Sequence, residues 1–402
     1  MAVIVQKYGG TSVGSIERIF QVAKRVAKTA AAGNQVAVVV SAMGDTTDEL
    51  LALAKQIMPN PPERELAMLL STGEQVSIAL VAMALTALGL EAVSFTGPQA
   101  GVKTKGSPLE AKIAAFEAER VKAALKAGKI AVVAGFQGSS PDGEIHTLGR
   151  GGSDTTAVAL AAALKAQICE IYTDVDGVYT VDPRLVDHAS KLAEITYDEM
   201  LEMASLGAKV LHPRAVECAK EHGVILHVRS SFHDNAGTLV KEVAEMEKEA
   251  AVRGIACDVD QVKIALRGVP DRPGVAARIF TAIGEAGINV DLIVQSLRRN
   301  GENDILFTIR EEDFDKAIAI LTPLTKEIGA KELLHQHNVA KISVIGAGMI
   351  HQAGVAAKMF AALGKAGINI EIISTSEIKI SCLIAADRIQ DAARAIHDYF
   401  QL

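Results

Sequence analysis

Residues 147–164 read TLGRGGSDTTAVALAAAL. A glycine-rich turn, Gly149-Arg150-Gly151-Gly152, runs into Ser153-Asp154-Thr155-Thr156 and then into a helix of small residues. Glycines let backbone N–H groups come close to an oxyanion, and a helix start adds partial positive charge there. Ser153 or Asp154 is predicted to cap that helix. Arg150 adds a planar fork suited to a carboxylate or phosphate. A second set opens the chain, Lys7-Tyr8-Gly9-Gly10-Thr11-Ser12. A lysine at a strand end, followed by glycines and hydroxyls, suits a phosphate in transfer. No Gly-Lys-Ser/Thr of a P-loop occurs, so phosphoryl transfer here needs another architecture.

Three further stretches carry polar chemistry. Ser71-Thr72-Gly73-Glu74-Gln75 precedes an apolar helix; it reads as a capping turn or as a place where Glu74 holds an ammonium group. Ser41 to Thr47, SAMGDTT, is a strand-end loop with three hydroxyls, and reads equally as a plain polar loop. Tyr172 to Tyr179, leading to Asp182-Pro183-Arg184, offers acids and a ring to a nucleotide and its metal, and Lys209 follows a helix. An EF-hand loop is a weak competitor, because the required spacing to a glutamate is missing. Gly346-Ala347-Gly348 has His351 where a dinucleotide fingerprint needs glycine, so a plain strand-to-helix turn is the better reading.

These groups need a scaffold, and the chain is rich enough to build one. It has 402 residues, 49% of them hydrophobic, which favours two or three domains. Net charge is −7, with no basic footprint for nucleic acid. Four scattered cysteines make no CxxC pair, so free buried thiols in a reducing cytosol are expected. The N-terminus lacks a basic segment before an apolar run, and the apolar stretch 78–90 is short and interrupted. A cytoplasmic protein without membrane contact is therefore expected. Val3–Val5, Val36–Val40, Ile130–Ala134 and Ile168–Tyr172 are apolar, β-branched runs, each followed by small polar residues and a helical stretch. That alternation predicts a mainly parallel sheet covered on both faces, with ligands at the carboxyl ends of its strands.

Residues 241–252 read as a charged linker helix. Beyond it, Gly274–Ile293 and Gly354–Ile373 align without gaps, with 12 of 20 positions identical. Two βαββαβ modules follow from this repeat. The second copy lacks a final strand, so Val252–Cys257 is expected to complete its sheet and to intertwine the two modules.

The motifs KYGGTS, SAMGDTT, STGEQ, FTGPQAG, GFQG, LGRGGSDTTA, YTDVDGVYTVDPR and GAKVLHPRA stand together in order. In this the chain resembles the amino acid kinase family, in its aspartate-phosphorylating branch with tandem ACT domains. The resemblance covers essentially the whole chain. It implies an α/β three-layer kinase sandwich over 1–245 and two ferredoxin-like ACT modules over 262–336 and 340–402. It implies ATP-dependent phosphorylation of the L-aspartate β-carboxylate to 4-phospho-L-aspartate, with Mg²⁺, under feedback by lysine or threonine. Lys7 and Asp154 would be catalytic. Ser41, Thr47, Glu74, Arg150, Gly151, Gly152 and Ser153 would hold aspartate. Tyr8, Gly9, Gly10, Thr173, Asp174, Tyr179, Asp182, Arg184 and Lys209 would join Lys7 on the nucleotide. Effector pockets would use Asp271, Gly274, Ala276, Asn289, Asp291 and Gln295 in the first module, beside Thr308. The second would use Gly354, Val355, Ala356, Asn369, Ile370 and Glu371, with His351 replacing the first acid. Self-association through the ACT sheets is expected, or pairing with a regulatory subunit started at Met246. No further catalytic domain is expected after Leu402. The competing readings are another amino acid kinase, acting on glutamate or a nucleotide, and a non-catalytic amino-acid sensor.

Overall fold

The computed structural model describes residues 1–208, 210–242, 250–296 and 301–402. They divide into two compact units, and the division is not a single cut near 245. Tyr179–Ser190 and Leu206–Ala208 fall with the second unit, although they lie inside the stretch expected to be kinase domain. The reason is apolar: Val181 and Val186 are buried in the same cluster as Val355, Met359 and Ile396.

The first unit is built on an eight-stranded sheet. Its order is Glu194–Ile195, Thr238–Val240, Leu226–Ser230, Ile168–Thr173, Val3–Tyr8, Gln35–Val40, Ile130–Ala134, Ala92–Phe95. Every pairing is parallel except Leu226–Ser230 with Thr238–Val240. Val36 to Val40 are all buried, as a β-branched strand covered on both faces should be. The helices Ile16–Ala31 and Thr72–Ala87 pack with the sheet residues Val36, Val38, Val40 and Val132. Ser15 caps the first of these through a bond from Arg18 N, and Ile19, Val22, Ala23 and Val26 form its buried stripe. Glu63–Ala87 is long and apolar enough to cross a membrane by length and composition. Ile78, Val81 and Leu85 nevertheless sit in the sheet's core, which is the pattern of a core helix. A small four-stranded sheet (Lys112–Phe116, Val102–Lys105, Gln137–Ser139, Ile145–Thr147) accompanies this unit.

The helix Gly152–Leu164 packs against the central strands Val3–Tyr8, Gln35–Val40 and Ile168–Thr173. Residues 152–161 are buried without a break. Close packing on all sides favours small side chains, in keeping with the many alanines and threonines of this stretch.

The second unit holds a six-stranded antiparallel sheet. Its order is Ile293–Gln295, Glu302–Ile309, Gly254–Pro270, Glu332–Ile345, Lys379–Ala385, Ile372–Thr375. Residues 254–258 pair with 341–345, inside the second module. Residues 332–336 pair with 263–267, inside the first. The second module therefore receives a strand from ahead of the first, whereas the first closes its sheet with its own residues 332–336. Two strands were expected in 252–267; the structure has one, Gly254–Pro270, with register shifts between Asp258 and Lys263 that absorb the polar DVDQ. Separate helix pairs cover the two halves: Val275–Glu285 with Phe314–Ile328, and Val355–Lys365 with Ile389–Phe400. Gly346 and Gly348 are needed where residues 250–252 cross: a Cβ there would stand 2.3 Å from Ala251 O and 2.6 Å from Ala250 O. The linker expected at 241–252 and the internal start at Met246 lie largely outside the described residues.

Candidate active site in the first unit

Side chains alternate along a strand, so Lys7 and Tyr8 face opposite sides of the sheet. Lys7 turns towards the helix Gly152–Leu164 and forms an ion pair with Asp154, 2.5 Å from Nζ to Oδ1. Both side chains are nearly buried. Tyr8 turns the other way and is fully buried. Its ring stacks on Tyr172 with centroids 4.7 Å apart, and its hydroxyl donates to Gln6. The Tyr8 side chain is thus no nucleotide ligand; only its backbone lies on the site's side, where Tyr8 O accepts from Ser41 N.

The helix begins two residues before the start that a Ser153 cap would give, and three before that of an Asp154 cap. Gly151, at φ 70°, is the N-cap, and no side chain caps it. Neither Ser153 nor Asp154 is spent on capping, which leaves Asp154 for Lys7. An added Cβ on Gly151 would lie 2.1 Å from His212 Cγ. Gly151→Ala is therefore expected to lose at least about 2 kcal/mol from the left-handed backbone and the clash, read from the denaturation midpoint. Arg214 fixes the approach to this turn, donating to Leu148 O at 2.5 Å and Ala111 O at 2.9 Å. Sequence reasoning missed Arg214, although it stands inside the quoted LHPRA motif. Arg150 itself is exposed, and among the described residues it has no hydrogen-bond or ion-pair partner.

Beside this turn the loop after Gln35–Val40 meets the loop after Val3–Tyr8. Gly44 N donates to Gly10 O at 3.0 Å, and a Cβ on Gly10 would touch Ala42 O at 2.9 Å. Ala42 N donates to Glu74 Oε1 at 3.0 Å. Glu74 sits in the first turn of Thr72–Ala87 and is 2% exposed. Burial, opposed by the Ala42 N–H, lifts its carboxyl to about 7. Its Oε2 is buried and meets no donor. An orphaned buried carboxylate oxygen beside a glycine loop fits a cationic ligand group. Ser41 and Thr47 are half-buried on the same loop and the helix that follows it.

The remaining candidates divide. Thr173 ends its strand and donates to the exposed Asp174 at 3.0 Å. Tyr179, Asp182 and Arg184 belong to the second unit. There Arg184 Nη2 lies 2.6 Å from Asp182 Oδ2, and this contact holds the Asp182 carboxyl below its ordinary range. Lys209 lies outside the described residues. A polar network under the strands was not foreseen. Glu170 accepts from Gln6 at 2.7 Å, Tyr172 at 3.1 Å and Arg229 at 3.0 Å. Its sequence signal is weak: Gln6 and Glu170 are polar residues inside largely apolar strands, and Gln6 stands next to Lys7.

Among the effector candidates, Gly274, Ala276, Asn289, Gln295, Gly354, His351 and Asn369 are exposed, and Ala356 and Ile370 half-buried. Asp271 accepts from Asn303 at 3.2 Å. Val355 is 5% exposed in the core, so it offers only backbone to a ligand. Thr308 is buried and accepts from Leu292 N at 3.2 Å.

The amino acid kinase family matches residues 2–230, and the ACT domain matches 262–322 and 342–400. The chain belongs to the amino acid kinase family. Within it the chain falls among the aspartate kinases with paired ACT domains, as a transferase of amino-acid biosynthesis under allosteric control. It is 53% identical over 404 residues to an aspartokinase of Thermus thermophilus, covering 100% of this chain and 99% of that one. It is 51% identical to the Pseudomonas aeruginosa aspartokinase, over 100% and 98%. The E. coli aspartokinase III structure with aspartate and ADP is similar at TM-score 0.82 and 25% identity, over 100% of both chains.

Proposed function

We propose that this chain transfers the γ-phosphoryl group of ATP to the β-carboxylate of L-aspartate, giving 4-phospho-L-aspartate and ADP. The carrying observation is the buried Lys7–Asp154 pair at the strand ends, with the glycine turn 149–152 before it and the orphaned Glu74 carboxylate nearby. A carboxylate is ionised at pH 7, so no base is required. Its oxygen bonds to the γ-phosphorus while the bond to the β,γ-bridging oxygen breaks. Catalysis then rests on alignment and charge. Lys7 neutralises the transferred group. Gly9, Gly10 and Ser153 approach it with N–H or hydroxyl donors. Glu74 takes the aspartate ammonium, and Arg150 takes a carboxylate. The exposed Asp174 oxygens suit Mg²⁺, which prefers hard oxygen ligands and, when bound, supplies charge neutralisation on the phosphates.

Regulation is proposed through the ACT pair, by lysine, threonine or both. Self-association is proposed through the sheet edges, where Ile293 and Ile373 occupy matching repeat positions and are 54% and 46% exposed. ATP turnover with aspartate, glutamate and UMP, each with and without lysine and threonine, tests the whole reading. ADP release with aspartate alone is expected. Equal turnover with glutamate or UMP, or none with aspartate, overturns it. Arg150→Ala is expected to raise KM for aspartate by about tenfold or more, as loss of a charged contact. Melting should be unchanged, because Arg150 holds nothing in place. A change in KM for ATP alone would move Arg150 out of the aspartate site.

A further inference from the structure

The two ACT modules exchange lysines. In the repeat, Asp291 of INVD corresponds to Glu371 of INIE, 80 residues on. The opening strands also correspond: Val262-Lys263-Ile264 matches Ala340-Lys341-Ile342, 78 residues on. In the sheet, Lys263 lies opposite Gln336 and Lys341 lies opposite Asp258. The same shift of 78 carries Lys263 to Lys341 and Asp258 to Gln336, so one pairing maps onto the other. The modules are thus related by a local two-fold, and matching side chains should make matching contacts across it.

They do. Lys263 of the first module pairs with Glu371 of the second, and Lys341 of the second pairs with Asp291 of the first. Gln336 adds a bond to Glu371 at 2.9 Å. The Lys341 side chain is 1% exposed, and Asp291 keeps 32% of its surface. A lysine taken that far from water needs its counter-ion. Each acid therefore already holds an ammonium group, the same group that an amino-acid effector presents.

We infer that Lys263 and Lys341 are specificity-determining residues of the two effector pockets: each is a resident ammonium that fills the acidic subsite of the other module. This rests on the regulatory reading above. Two ammonium groups on one carboxylate repel, so an effector that uses Asp291 must push Lys341 off it. Displacement breaks a tie between modules and leaves a buried cation to be accommodated elsewhere. Effector affinity is reduced by that cost, and effector binding is coupled to the junction by the same amount. An effector therefore needs a second anchor, such as a carboxylate at the helix start after Gly274 or Gly354.

The test uses the full-length enzyme. Wild type, Lys341→Met, Lys341→Arg and Lys263→Met are titrated with lysine and with threonine, by ATP turnover and by calorimetry. Methionine keeps the length of the stem and removes the charge. At least one methionine variant should bind its effector at a tenfold lower concentration by calorimetry, with basal kcat kept, while Lys341→Arg stays near wild type. Binding curves unchanged in both methionine variants, or moved to higher concentration, overturn the inference. Lys263, at 18% exposure, carries the test if Lys341→Met does not fold. A wild type that neither binds nor responds to either amino acid points instead to failure of the regulatory reading.

Discussion

Lys7→Ala lowers kcat by on the order of 10²-fold or more, with a far smaller change in KM for aspartate, as for loss of a transition-state charge partner. Its partner complicates the measurement. Without Lys7, Asp154 is a buried carboxylate with no counter-ion, and breaking such a pair costs roughly 3–5 kcal/mol of stability. The single variant therefore loses activity for two reasons. Lys7→Met with Asp154→Asn separates them, because it removes both charges and keeps approximate volume. Its melting should return towards wild type while kcat stays low. A double variant that regains kcat would assign the loss to the stranded Asp154 charge and take Lys7 out of the chemistry. Asp154→Asn alone leaves Lys7 charged, and should cost less than Lys7→Ala.

Why this pair was not legible beforehand is instructive. Both residues stood in motifs, but nothing local says that the helix starting at Gly152 lies over the strand Val3–Tyr8. Ser153 and Asp154 looked like caps because capping is a local rule; a left-handed glycine took that role and left Asp154 for a long-range partner. Tyr8 is a different case. The period of two along a strand already denies Lys7 and Tyr8 a shared ligand through their side chains, and the buried stack on Tyr172 follows from it. Val36–Val40 was readable because a fully buried parallel strand needs no partner to be recognised. The two modules were readable because a repeat carries its own evidence. The segment 179–190 was not, because Val181 and Val186 are apolar without stating which core they enter. Glu74 lay between: its helix start was plain, but its depth and its bond from Ala42 N depend on a neighbouring loop.

That depth makes Glu74 a proton-linked binding group. Its carboxyl stands near 7 because burial disfavours the charge. An aspartate ammonium at Oε2 favours the ionised form, so binding below pH 7 must expel a proton. KM for aspartate should be flat above pH 7 and rise towards tenfold per pH unit below it. Calorimetry in buffers of different ionisation enthalpy should detect the released proton at pH 6. Glu74→Gln should abolish the pH dependence and raise KM by on the order of 10²-fold, as loss of a buried charged contact. Stability moves the opposite way. A carboxyl raised in the folded state binds its proton more tightly there than in the unfolded chain. Its favourable contribution is complete below the unfolded value near 4.5 and is lost as pH rises through about 7. Above pH 7 the folded enzyme carries a buried charge that costs about 3 kcal/mol, from 1.36 kcal/mol per pKa unit. Glu74→Gln does not carry it. At pH 8 and without substrate, the variant should therefore melt higher than wild type while binding aspartate worse. A variant that melts lower and binds normally would show that Glu74 serves the Ala42 loop and not the ligand.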